Sequence, residues 1–127
     1  MGRGLADAAL VGLGGALGSI ARYAVGLWLA ARLGPAFPFG TLTVNVTGGF
    51  AAGVLLGIGD VRGLATPARL AIVTGFLGGY TTFSAFAAET VRLAEQQSLA
   101  AAAANVAANL AIGLVAAALG FVVGRAY

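Results

Sequence analysis

Cysteine and histidine are both absent from the 127 residues, and lysine is absent with them. Without cysteine or histidine there are no disulfides, no thiol nucleophiles, no imidazole bases and none of the usual zinc, copper or haem ligand sets. Charge is scarce, at 9% of residues, against roughly 25% in a soluble domain. Asp7, Asp60, Glu89 and Glu95 are the only carboxylates, and each falls near an expected membrane edge. A hydrolase needs an activated nucleophile beside a base, so the composition argues against an enzyme. The seven arginines stand singly at 3, 22, 32, 62, 69, 92 and 125. They form no basic face, which excludes nucleic acid as a partner.

What is present is apolar. Hydrophobic residues make up 60% of the chain, glycine fills 21 positions, and mean hydropathy is +0.97. A water-soluble domain of this length needs a polar coat, and these side chains cannot supply one. Lipid is the expected solvent. A spanning helix takes about 20 apolar residues, so the expected fold is an all-α membrane protein, one four-span domain over 1–127. The spans are expected at 5–31, 40–59, 67–93 and 98–123. Pro35, Pro38 and Gly34 close the first, Asp60 and Arg62 mark water after the second, and Pro67 suits a helix start. The first apolar stretch is too long for a signal-peptide core and is expected to stay as a span. Four spans put Arg3, Arg62, Arg69 and Arg125 on the side of the termini and Arg32 and Arg92 on the other. That is a weak bias, and insertion either way round is compatible with it.

Small residues recur at intervals of four. Gly14, Gly18, Arg22 and Gly26 share a stripe, as do Gly49, Gly53 and Gly57, and Asn105, Asn109 and Gly113. Such glycine stripes let membrane helices pack backbone to backbone. A four-helix chain encloses little interior, so a homo-oligomer, most simply a dimer, is expected.

Polar groups within the spans are costly. Arg22 either snorkels to an interface or makes a site attractive to anions. Asn45 and Asn109 either bond another helix or line a pore as donors. The densest run is Gly75-Phe76-Leu77-Gly78-Gly79-Tyr80-Thr81-Thr82-Phe83-Ser84-Ala85-Phe86. A glycine pair followed by three hydroxyls lets a span break, and a broken helix offers carbonyls to Na⁺ and amides to anions. The same run is also compatible with a kinked helix that binds nothing. Phe83 and Phe86 share a face, as core aromatics do, yet each ring has a positive edge that an anion can meet.

Along nearly its full length the chain resembles the Fluc (CrcB-type) fluoride channels. The resemblance rests on Gly14-Gly15-x-x-Gly18-x-x-x-Arg22-Tyr23, on Gly40-Thr41-Leu42-x-Val44-Asn45-x-x-Gly48, and on Gly75 to Phe86. It implies an antiparallel, dual-topology homodimer in the inner (plasma) membrane, multi-pass, with the third helix broken mid-membrane near 78–81. It implies passive F⁻ efflux that protects the cell, through two pores lined by both subunits. By motif match, Phe83 and Phe86 would meet F⁻ with their ring edges, Asn45 would be the pore amide, and Thr82 and Ser84 would be hydroxyls on the path. Arg22 would stand near the vestibule. A structural Na⁺ would be held by backbone carbonyls of Gly78 and Thr81 from both subunits. Glu89 takes the place of an acidic residue beyond the phenylalanine pair. Asn109 stands in the pore lining where many members carry Ser, and Gly49 stands where Ser or Cys is frequent. The rival classes are a proton-coupled four-span multidrug exporter, which needs an intramembrane carboxylate where the first span has Arg22, and a structural membrane subunit.

Overall fold

Backbone donors and acceptors in hydrocarbon must be satisfied within the chain, which favours continuous helices. The computed structural model describes residues 2–127, and no strand occurs among the described residues. Helix α1 is Gly2–Leu33 and α2 is Phe39–Arg62. The third span runs over Thr66–Gln96 and the fourth over Leu99–Ala126, so four segments are long and apolar enough to cross a membrane.

The third span is two helices. The first, α3 (66–80), comprises Thr66–Ala68, a wider π-helical stretch over Arg69–Leu77, and Gly78–Tyr80. The second, α4, is Phe83–Gln96. Between them the backbone is extended, at Thr81 (φ −83°, ψ 157°) and Thr82 (φ −151°, ψ 119°). The sequence expectation placed the interruption near 78–81; residues 78–80 are helical, and the extended pair begins where the hydroxyls begin. Thr82 then caps α4, its Oγ1 accepting from the Ala85 amide at 3.1 Å, as N-cap residues do. The fourth span, α5 (Leu99–Ala126), is capped by Ser98 and widens over Ala108–Ile112.

The glycine stripes set the packing. A Cβ added at Gly14 or Gly18 would strike the carbonyl oxygens of Ala71 or Phe76. Gly75 and Gly79 answer from α3 against Val11 and Gly15. These pairs advance together, so α1 and α3 run parallel with backbones in contact. Gly53 and Gly57 lie in the same way against Ala117 and Phe121, and Gly120 and Gly124 against Phe50 and Val54. Thus α2 and α5 form a second parallel pair. The starts of α1 and α3 and the ends of α2 and α5 meet at one end of the bundle, where Arg125 Nε lies 3.5 Å from Asp60 Oδ2. Most large apolar side chains point outward, Leu13, Leu17, Ile20, Leu27, Leu114, Leu119 and Val122 among them. That outward face suits lipid and is foreign to a water-soluble core.

Candidate functional site

The extended pair leaves backbone groups that α3 and α4 cannot satisfy, and Asn45 on α2 meets them. The Thr82 amide donates to Asn45 Oδ1 at 2.8 Å, and Asn45 Nδ2 donates back to the Thr82 carbonyl at 3.2 Å. One side-chain amide thereby pairs with Thr82 as a neighbouring strand would. In a continuous helix the Thr82 amide would bond the Gly78 carbonyl. Its diversion to Asn45 frees that carbonyl from its helical donor.

Asn45 Nδ2 also donates to Asn109 Oδ1 on α5 at 2.9 Å. Asn109 Nδ2 lies 3.0 Å from both the carbonyl and the side-chain Oδ1 of Asn105. Asn105 is fully buried, and its Nδ2 donates to Thr90 Oγ1 at 2.9 Å. The Thr90 hydroxyl donates in turn to the Phe86 carbonyl at 2.7 Å. Of the two readings open for Asn45 and Asn109, the interhelical bond is the one seen here.

Asn45, Asn109 and Phe86 border a groove of about 510 Å³, together with Gly78, Thr81, Thr82 and Phe83. The rings of Phe83 and Phe86 lie 5.5 Å apart, inclined by 57°. Phe86 is 8% exposed and Phe83 is 77% exposed, so the pair reaches from the chain's interior to its surface. Thr82 Oγ1 and Ser84 Oγ lie 3.3 Å apart, close enough for one hydroxyl to donate to the other. Ser84 sits outside the groove and touches it through that contact.

Arg22 also lies outside the groove, in a smaller recess shared with Tyr23, Thr41, Thr82 and Glu89. Its Nε donates to the Gly79 carbonyl at 3.0 Å. A cation there opposes the negative end of α3. In that recess Thr41 Oγ1 donates to Glu89 Oε1 at 2.9 Å, while Glu89 Oε2 is buried with no hydrogen-bond partner among the described residues. Sequence reasoning missed Thr90 and the Thr41–Glu89 bond. The available signal was spacing: Thr90 follows Phe86 by four, where a hydroxyl reaches back to the preceding turn.

Among the described residues no cluster of acidic side chains could hold a metal ion. Backbone oxygens remain as donors, and the freed Gly78 carbonyl with the extended Thr81 beside it suits a hard monovalent cation such as Na⁺.

The family model for CrcB-like proteins (camphor resistance, CrcB) matches residues 9–121. A relative from Acidobacterium capsulatum is 50% identical over 116 residues, covering 91% of this chain and 93% of that protein. One from Sorangium cellulosum is 47% identical, covering 91% of each. One from Rhizobium meliloti is 47% identical over 118 residues, covering 92% and 94%. All three are named fluoride-specific ion channel FluC. With the match spanning the break, its Asn45 brace and the glycine contacts between α1 and α3 alike, the chain belongs to the CrcB family.

Proposed function

We propose that this chain is a passive, fluoride-selective channel that lets F⁻ leave the cytoplasm across the plasma membrane. The observation that carries the reading is the braced interruption at Thr81 and Thr82 opening onto the Phe83–Phe86 groove. The relatives' shared name supports it and belongs to a transporter rather than an enzyme. No observation favours the exporter or the structural subunit.

F⁻ is small and strongly hydrated, so permeation requires groups that replace its water. The hydroxyls of Thr82 and Ser84 and the edges of Phe83 and Phe86 supply weak positive poles. Asn45 and Asn109 line the path beside them. None of these is a fixed cation that would trap the ion, and conduction needs binding loose enough for exit. Arg22 sits near the entrance and raises the local anion concentration.

The active form is an antiparallel homodimer of two oppositely inserted copies, surrounded by lipid, with the interruption at mid-membrane. The four-to-two arginine split supports dual insertion, and the open side of the groove, with Phe83 exposed, supports closure by a second copy. A Na⁺ ion is held by the Gly78 and Thr81 carbonyls of both copies. When bound, it supplies a fixed positive charge and ties the two interrupted helices together.

The test is efflux from liposomes read by ion-selective electrodes. F⁻ release without Cl⁻ release is expected. Phe83→Ile, which keeps the bulk and removes the ring edge, should abolish F⁻ release while the protein still elutes as a dimer. Equal release of both halides, or normal flux through F83I, overturns the reading.

A further inference from the structure

The hydrogen bonds around the groove form one directed relay. It starts at the Thr82 amide, which can only donate. It passes through Asn45, Asn109, Asn105 and the Thr90 hydroxyl, and it ends at the Phe86 carbonyl, which can only accept. The fixed ends set the sense of every link. Turning the Asn45 amide over would set its oxygen against the Thr82 carbonyl and Asn109 Oδ1, and its nitrogen against the Thr82 amide. The relay therefore has one arrangement. It also occupies the amide hydrogens: Asn45 Nδ2 faces two acceptors, Thr82 O and Asn109 Oδ1, and Asn109 Nδ2 faces two on Asn105. The strongest neutral donors beside the groove are thus already engaged, and the anion is left with hydroxyls and ring edges.

We infer that Asn105 and Thr90 are positioning residues for permeation: lying behind the groove, Asn105 fully buried and Thr90 half-buried, they hold the Asn109 and Asn45 amides turned away from the ion and keep its binding loose. This rests on the fluoride-channel reading above. Removing the Asn105 side chain takes away one of the two acceptors that hold the Asn109 amide and leaves one N–H free to turn toward the groove. A free amide donor facing a bare anion holds it more tightly, and a tightly held ion leaves slowly.

The experiment measures initial F⁻ efflux from liposomes as a function of internal fluoride for the full chain and three variants. Asn105→Leu keeps the branched shape at the γ carbon and removes the amide. Thr90→Val removes the last hydroxyl of the relay at a position away from the groove. Thr90→Ser restores it. Asn105→Leu should lower the half-saturating fluoride concentration about tenfold, the worth of one hydrogen bond to a charged group, and lower the plateau rate with it. Thr90→Val should shift both in the same direction by less, and Thr90→Ser should return both to the parent values. A lower plateau with unchanged half-saturation in both N105L and T90V would mean packing damage alone and would overturn the inference. So would parent-like curves in both. If N105L does not elute as a dimer, T90V against T90S decides. The parent chain is measured in parallel: failure of the parent to release fluoride overturns the channel reading itself, whereas a conducting parent with unshifted variants overturns only the role of the relay.

Discussion

At the scale of single residues, Asn45 joins the interruption to the rest of the bundle. Its amide serves both backbone groups of Thr82 and reaches Asn109 as well. Asn45→Asp keeps the acceptor for the Thr82 amide but sets a second oxygen against the Thr82 carbonyl and Asn109 Oδ1. We expect fluoride efflux to be abolished and stability to fall by about 1–3 kcal/mol, the cost of orphaned buried groups, with the dimer retained on size exclusion. Efflux and thermal unfolding in detergent check it. The need for partners was legible in the sequence, since an amide in an apolar run must bond something. The partners were not, because Asn45 finds Thr82 at 37 residues' separation and Asn109 at 64, and helical spacing carries no information across such distances. Thr90 was hidden for another reason. It stands among polar residues at the exit of a span, where a hydroxyl needs no special explanation.

At the scale of elements, glycine spacing tells which faces meet. Gly18 packs on the backbone of α3 around Phe76 and Tyr80, and a backbone oxygen cannot swing aside as a side chain does. Gly18→Ala should cost about 3 kcal/mol through overpacking. A Cβ at Gly12 would meet nothing within 4 Å among the described residues, so Gly12→Ala should gain up to about 1 kcal/mol of helix propensity. Paired melting curves in detergent test the contrast. The stripes of Gly14 and Gly18 and of Gly53 and Gly57 were visible in the sequence because a four-residue interval survives into three dimensions. The wide turns over Arg69–Leu77 and Ala108–Ile112 were not. They insert a residue without disturbing composition or hydropathy, and only the register of the neighbouring helix reports them. The interruption was legible as a run of glycines and hydroxyls. Its placement at Thr81 and Thr82 depends on which backbone groups Asn45 can reach.

For the whole molecule, the scarcity of charge makes orientation sensitive to single arginines. Replacing Arg62 and Arg125 by Gln would leave two arginines at each end. Under the dual insertion proposed above, the two orientations should move toward equal shares, as read by impermeant labelling of single cysteines introduced into this cysteine-free chain. Losing the exposed Asp60–Arg125 pair should change stability by no more than about 1 kcal/mol. The glycine contacts between α1 and α3 and between α2 and α5 carry a wider consequence. Main chain resting on main chain leaves no pliable layer along which one rod could slide past another, so rocking or shear between the paired rods is obstructed. Traffic through such a body depends on the passenger shedding and regaining water, and its thermal sensitivity should follow that exchange rather than any cycle of opening and closing.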